Sequence, residues 1–226
     1  MKKLLIILTV LLFACNQTKN ESEKNGSTMN DSSSGNKDAM SAGDMSNSKT
    51  LAFHDAMDRL WEDHITWTRN VICCLADNLP GADQAVKRLL KNQDDIGNAI
   101  KPYYGDDAGT KLTALLHDHI TISADVVKAA KANDKNGLDA ANKKWYDNAD
   151  SISSFLSQAN PNNWKLDDVK MMMHDHLKLT TDEAVARIKK DYSGDVSAYD
   201  KVHDEILKMA DALSNGIINQ FPDKFK

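Results

Sequence analysis

Three histidines recur in one short motif and are the side chains best suited to chemistry. Each follows an Asp and precedes an Ile or a Leu, at His64, His119 and His176. The spacing is 55 residues (119 − 64) and then 57 residues (176 − 119). Neutral imidazole is a common ligand of transition metals. If the fold brings them together, these three residues, called the central histidines below, predict a site for Zn, Fe, Mn or Cu.

A second set of polar residues lies just before the central histidines, and a weaker fourth copy of the motif repeats it near the C-terminus. On an α-helix, residues two apart point ~160° away from each other, so a His two positions before a central His faces the other way. The Asp between them also lies off the apolar face. A solvated face is the main interpretation. The alternatives are a peripheral site, or Asp side chains that orient a His on a neighbouring helix. These secondary candidates are His117, His174, His203, Asp118 and Asp175.

Six segments with helical apolar periodicity follow one another from residue 51 to the end of the chain, and none alternates like a β-strand. Short connections favour antiparallel neighbours, so the sequence predicts an all-α, up-down bundle of about six helices. Because the motif recurs on alternate helices, three helical-hairpin repeats are also indicated. The predicted helices cover residues 51–77, 83–101, 110–132, 138–158 and 166–190, with a sixth ending near 220.

These helices should hold the central histidines in one layer. Each of the three lies on the apolar face of its helix and near the middle, and mid-helix residues of antiparallel neighbours meet at the same height. A buried imidazole needs a hydrogen bond or a ligand, because an unpartnered polar group in the core is costly. The partners expected from the even-numbered helices are Gln93, Asn148 and Glu205. On the second helix, Gln93 is preferred to Asp95 because it lies on the apolar face.

Two interpretations of this layer stay open. In the first, His64, His119 and His176 bind a transition metal with Glu205 as the carboxylate ligand, and the protein is a binding or storage module. In the second, hydrogen bonds to Thr, Ser and amide side chains satisfy the imidazoles. The layer would then fix the register of the helices in a non-enzymatic envelope protein.

A third interpretation is an enzyme that uses the second set of His and Asp residues in a surface cleft. The sequence has no Glu-x-x-His pair, no Gly-x-Ser-x-Gly elbow, no glycine-rich phosphate loop and no Cys-x-x-Cys or His-Glu-x-x-His motif. A non-enzymatic function is therefore favoured. The formal net charge of −5, without a basic stripe to neutralise phosphates, also argues against a nucleic-acid partner.

The N-terminal end of the chain predicts export and a lipid anchor. Residues 1–15 have the charged start, apolar run and small-residue end of a secretory signal, and LFAC at 12–15 is similar to a lipobox, in which Cys15 becomes the lipid-modified first residue. The alternatives are an ordinary signal peptide or a short membrane anchor. Residues 16–50, rich in Ser and Asn, are expected to be a disordered linker, and 51–226 the helical domain. The predicted partner is a bacterial membrane, on its periplasmic or cell-surface side, and protein partners are left open.

Four further segments carry a resemblance to a known family. They are WEDHITWTRN at 61–70, NAIKPYYG at 98–105, KKWY at 143–146 and GIINQFPDKF at 216–225. In these segments the chain resembles an uncharacterised family of bacterial exported helical-bundle proteins, over residues 53–225. The resemblance implies a helical fold. The family has no established activity, so no functional residue is carried over.

Overall fold

Six α-helices and a short terminal 3₁₀ helix make up residues 42–226, the part of the chain that the computed structural model describes. This confirms the all-α bundle, and these residues contain no strand. The predicted signal, Cys15 and residues 16–41 of the predicted linker lie outside the described residues. The helices are α1 (Ala42–Asp77), α2 (Ala82–Tyr104), α3 (Asp106–Lys131), α4 (Lys135–Ala159), α5 (Leu166–Ile188) and α6 (Tyr192–Gln220), followed by the 3₁₀ helix Pro222–Phe225.

The six helices form a closed ring of three hairpins. Consecutive helices pack against each other, and α6 returns to pack against α1. The odd-numbered helices α1, α3 and α5 also contact one another, so they lie nearest the common axis. Each hairpin therefore has an inner helix and an outer helix, and the central His is on the inner one.

The three hairpin turns occur at the same place in each repeat. The chain enters the left-handed region at Asn78 (φ 55°), Asn133 (φ 54°) and Lys190 (φ 61°). Each of these residues lies 14 positions after the central His of its hairpin (78 − 64, 133 − 119, 190 − 176). In the second and third turns, Asp134 and Asp191 cap the next helix by accepting a hydrogen bond from a glycine N–H three residues later. The backbone thus repeats with the motif.

The junction of α2 and α3 differs from the expectation. The sequence predicts that α2 ends before Pro102, but the helix continues to Tyr104. Proline is tolerated this close to the end because little helix follows it. Gly105, at φ 88°, then ends the helix with its N–H on the carbonyl of Lys101, and α3 begins at once at Asp106.

The first helix begins at Ala42, inside the stretch whose composition resembles a linker. Once a helix is nucleated, each further residue adds a hydrogen bond at little cost, so a packed apolar segment can extend into polar sequence. None of the helices between residues 42 and 226 is long and apolar enough to cross a membrane.

Candidate metal centre

The three central histidines meet inside the ring in one layer. Each of them is buried, with 3% of its surface exposed. The ring centroids of His64 and His176 lie 5.6 Å apart, and those of His119 and His176 lie 6.4 Å apart. The layer forms because α1, α3 and α5 all turn their mid-helix apolar faces toward the common axis. Residues far apart in the chain thereby become neighbours.

Each imidazole is hydrogen-bonded to a side chain on the outer helix of its own hairpin. The bond is made through Nδ1, and the partner always follows the His by 29 residues. In the described part of the chain, His64 and His176 make side-chain hydrogen bonds through Nδ1 alone. Such a bond fixes the orientation of the ring, as it does for metal-bound histidines. The pairs are His64–Gln93 (3.1 Å), His119–Asn148 (2.9 Å) and His176–Glu205 (3.0 Å).

His119 has partners on both ring nitrogens. Its Nε2 accepts a hydrogen bond from Nε1–H of Trp145 at 3.2 Å. Its Nδ1 must then carry the proton, which it donates to Oδ1 of Asn148. Asn148 in turn donates from Nδ2 to the backbone carbonyl of Leu115. Two residues of α4, three positions apart, therefore fix both the tautomer and the orientation of this ring.

Burial keeps two of the central histidines neutral. The pKa of His119 is lowered to about 3, chiefly by desolvation and then by the nearby His176, while the hydrogen bond with Asn148 acts in the opposite direction. The pKa of His64 lies well below its ordinary value, through desolvation first and then through His176 and His119. Both rings are neutral near pH 7, which is the form that binds metal ions.

A small cavity lies on one side of the layer. It measures about 30 Å³ and is lined by the three imidazoles and by apolar side chains. Three of these, Trp61, Leu116 and Met173, each precede a central His by three residues. A cavity needs about 10–15 Å³ to hold one water molecule, so this one is large enough for a single small ligand, and its wall is apolar.

A second cavity, of about 70 Å³, lies on the other side of the layer. Thr68, Ser123 and Thr180, each four residues after a central His, are among the residues that line it, together with Trp145. The hydroxyl of Thr180 is buried and has no hydrogen-bond partner among the described residues. The layer therefore has a cavity on each side along the axis of the bundle.

The spacing of the layer approaches that of a metal centre without reaching it. Imidazole nitrogens bind Zn at about 2.1 Å, which places the centroids of two rings on one ion about 5.2–5.5 Å apart. The His64–His176 distance of 5.6 Å is close to this value, whereas the His119–His176 distance of 6.4 Å exceeds it by about 1 Å. Between residues 42 and 226, no group of three or more His, Cys, Asp or Glu side chains is arranged to hold an ion. For all three imidazoles to bind one ion, His119 must move toward the axis.

The predicted carboxylate, Glu205, lies on the side of His176 that faces away from the small cavity. Glu205 bonds to Nδ1 of His176, and it is not among the residues that line the small cavity. Its position is that of a partner that orients a ligand, not that of a fourth ligand. On α2, Gln93 is the residue that reaches His64 and is fully buried, while Asp95 forms a surface ion pair within its own helix. The choice of Gln93 from the apolar face of the helix agrees with this arrangement.

The second set of histidines joins neighbouring hairpins. Each bonds through Nε2 to a carboxylate, and each pair connects the outer helix of one hairpin to the inner helix of the next. These His side chains are between 31% and 41% exposed, and Asp118 and Asp175 are exposed. None of the three lines either cavity beside the layer. The pairs are His117–Asp94 (2.9 Å), His174–Asp150 (2.9 Å) and His203–Glu62 (3.3 Å).

A buried cluster of charges is absent from the sequence-based predictions. Arg69 on α1 donates to Glu183 on α5 at 2.6 Å and to Asp195 on α6 at 2.8 Å, and Arg187 donates to Asp195 at 3.2 Å. Both carboxylates are 1% exposed. Desolvation raises the pKa of Glu183 to about 7, despite the opposing effect of Arg69. The one signal in the sequence was the position of Glu183, two helical turns after His176 on the inward face.

The layer, its seven hydrogen-bonded side chains and the two cavities are the features on which a function must rest. No protein-family model, no curated protein and no solved structure matches the chain.

Proposed function

We propose that the bundle binds one transition-metal ion, from the group Zn, Fe, Mn and Cu, through Nε2 of His64, His119 and His176. One observation carries the proposal: three buried imidazoles, each held through Nδ1, line one cavity of about 30 Å³. Three protein ligands on Zn leave a fourth position for water or another small ligand. The protein would be a metal-binding or storage module, and no catalytic step is assigned to it.

Two of the outer-helix partners suit this proposal directly. Asn148 and Glu205 each present an oxygen to Nδ1, so that nitrogen donates its proton and, in a neutral ring, the lone pair is on Nε2. A carboxylate behind His176 also makes the imidazole a stronger metal ligand. Glu205 would therefore orient and activate His176.

The partner in the first hairpin, Gln93, requires one change. Nε2 of Gln93 donates to Nδ1 of His64, so the proton of this neutral ring is on Nε2, the nitrogen that an ion would need. Oε1 of Gln93 is buried and has no hydrogen-bond partner among the described residues. A half-turn of the amide would set Oε1 against a protonated Nδ1 and leave the Nε2 lone pair of His64 for the ion. It would also remove the hydrogen bonds that Nε2 of Gln93 donates to the carbonyl of Leu89 and to Oδ1 of Asn92. Metal binding at His64 therefore requires these groups to rearrange.

Elemental analysis of the full-length chain, purified without affinity tags or chelators, tests this proposal. Close to one ion per wild-type chain is expected. A triple variant, His64→Gln with His119→Gln and His176→Gln, should contain none. The matched control replaces the same number of imidazoles in the peripheral pairs, with His117→Gln, His174→Gln and His203→Gln, and should keep the ion. Circular dichroism verifies that all three proteins are folded.

Three results would contradict the proposal. The first is a wild-type chain that contains no metal after incubation with Zn, Cu, Fe and Mn salts. The second is a triple variant of the central histidines that retains the wild-type metal content. Loss of metal from the peripheral variant alone would place the site at the surface pairs instead.

A specific observation favours a second candidate, a structural polar layer in a non-enzymatic protein. His119 is fully hydrogen-bonded by Trp145 and Asn148 without any ion. In this case the layer fixes the register of the helices, because each bond joins residues at one height. His119→Gln would then leave folding nearly unchanged, and no variant of the layer would alter metal content.

We also propose that the chain is an exported lipoprotein, anchored to a bacterial membrane by a lipid on Cys15. The support is the signal-like composition of residues 1–15 and the LFAC sequence at 12–15. Expression in a bacterium with radiolabelled palmitate tests it. The wild-type chain should carry label and sediment with membranes, and Cys15→Ala should do neither. A labelled or membrane-bound Cys15→Ala chain would rule out this anchor.

A further inference from the structure

The indole N–H of Trp145 is hydrogen-bonded to Nε2 of His119, the nitrogen through which the proposed ion would bind. The bond is 3.2 Å long, and the two ring centroids lie 5.4 Å apart. Trp145 is 3% exposed, so the bond lies in the core, where water does not compete for either partner. His119 is also the member of the layer that stands about 1 Å outside the spacing of a metal centre, with its centroid 6.4 Å from that of His176.

The other two hairpins have no such donor. Trp145 follows the central His of its hairpin by 26 residues (145 − 119). The residues at the same place in the first and third hairpins are Leu90 and Val202. Neither side chain has a hydrogen-bond donor. The indole N–H is therefore particular to the second hairpin and is not part of what the repeat needs in order to fold.

The structure has room for the indole to withdraw. Trp145 lines the cavity of about 70 Å³, whereas His119 lines the cavity of about 30 Å³ on the other side of the layer. A shift of the indole into the larger cavity would break the bond to Nε2. The imidazole of His119 would then be free to move toward the axis by the distance of about 1 Å that separates it from the spacing of a metal centre.

We infer that Trp145 is the gate of the proposed metal site. With the gate closed, its N–H occupies Nε2 of His119. His176 and, once the amide of Gln93 has turned, His64 are then the only imidazoles of the layer left for an ion. Binding by the third imidazole exchanges this hydrogen bond for a metal bond, so the gate weakens ion binding by the strength of one neutral hydrogen bond. This inference rests on the proposed function, and it adds a residue that sets the affinity of the same site.

Trp145→Phe tests the gate, because it keeps an aromatic ring in the core and removes the N–H. The full-length variant should bind Zn²⁺ about three- to tenfold more tightly than the wild type, as expected from the loss of one hydrogen bond. Competition with a chromophoric chelator measures the Kd. The matched control is Trp67→Phe. Trp67 is half-buried, packs against the guanidinium of Arg88 and lines neither cavity beside the layer, so its replacement should leave the Kd unchanged.

A second measurement uses the wild-type chain and does not depend on the folding of any variant. In an ¹⁵N-labelled sample, Zn²⁺ should shift the indole N–H signal of Trp145 and leave the indole N–H signal of Trp67 unchanged, because Trp67 lines neither cavity. Equal Kd values for the wild type and Trp145→Phe, with an unshifted Trp145 signal, would overturn the gate and leave the metal site standing. Zn²⁺ binding by neither protein would overturn both proposals. Binding by Trp145→Phe alone would support the gate but contradict the proposed function, because the wild-type chain would then hold no ion.

Discussion

Acidification should destabilise the bundle through His119, by an amount that follows from the burial of this side chain. In the folded state its pKa is about 3, chiefly because of desolvation, against an ordinary value of 6.5. The unfolded chain therefore takes up a proton at this His at a pH where the folded chain does not. A base with a lowered folded pKa contributes stability above its unfolded pKa, and this contribution is lost as the pH falls toward the folded pKa.

The magnitude follows from the two pKa values. At about pH 7.5 neither state is protonated at His119, and at about pH 5 the unfolded state is protonated while the folded state is still neutral. A difference of about 1.5 pH units below the unfolded pKa, at about 1.4 kcal/mol per unit, gives a loss of about 2 kcal/mol. Removing the imidazole should remove this part of the pH dependence.

Urea unfolding of the wild type and of His119→Gln, at both pH values and with a chelator present, measures the effect. The wild type should lose about 2 kcal/mol more than the variant on acidification. Groups common to both chains, such as Glu183, cancel in this difference. The control is His117→Gln, which removes a His side chain 38% exposed and bonded to Asp94, outside the layer. The reasoning is refuted if His119→Gln loses as much as the wild type, or if His117→Gln gives the same protection.

Two further predictions concern other buried positions. Glu183→Gln removes a carboxyl whose pKa is raised from 4.5 to about 7. The stability that this group contributes is complete below its unfolded pKa and is lost as the pH rises through its folded pKa, so between about pH 5 and pH 8 the wild type should lose about 2–3 kcal/mol more than the variant in urea unfolding. Gly97→Ala should destabilise the chain by about 1–3 kcal/mol in thermal unfolding, because close packing leaves no room for the added carbon. That Cβ would lie 2.8 Å from the carbonyl oxygen of Gly109 on α3 and would meet the side chain of Thr113.

Each of these predictions has an outcome that contradicts it. A Glu183→Gln chain with the pH dependence of the wild type would show that the carboxyl is not desolvated as the fold implies. For Gly97→Ala, the control is Asn98→Ala at the next, exposed position of α2, which should change stability by less than about 0.5 kcal/mol. Equal melting temperatures for the two alanine variants would mean that α2 and α3 do not pack closely at Gly97.

The helices were predictable because their signals are local. Apolar periodicity and the Gly and Pro breaks give six helices, and the turns at Asn78, Asn133 and Lys190 follow the same repeat as the motif. Helix ends were less predictable. α1 begins at Ala42 and α2 passes Pro102, because packing of the rest of each helix supports end residues whose own propensity is weak.

The layer was predictable from helical geometry as well. Inward, mid-helix positions for the central histidines place them together in any antiparallel arrangement, and the apolar face of α2 selects Gln93 over Asp95. The role of Glu205 was less predictable. A carboxylate at the edge of an apolar face can reach either the cavity or the back of a neighbouring imidazole, and only the packing of α5 against α6 decides between them.

The sequence by itself determined the helices, their order and the three inward imidazoles, since periodicity along one helix decides which side chains it buries. Tertiary structure alone decided which atoms those imidazoles meet. The indole of Trp145 reaches Nε2 of His119 because α3 and α4 pack at one particular distance and rotation. Arg69, Glu183 and Asp195 come from three different helices, and they meet because α1, α5 and α6 pack together where the ring closes. Contacts of this kind depend on rotations between helices that no local pattern specifies.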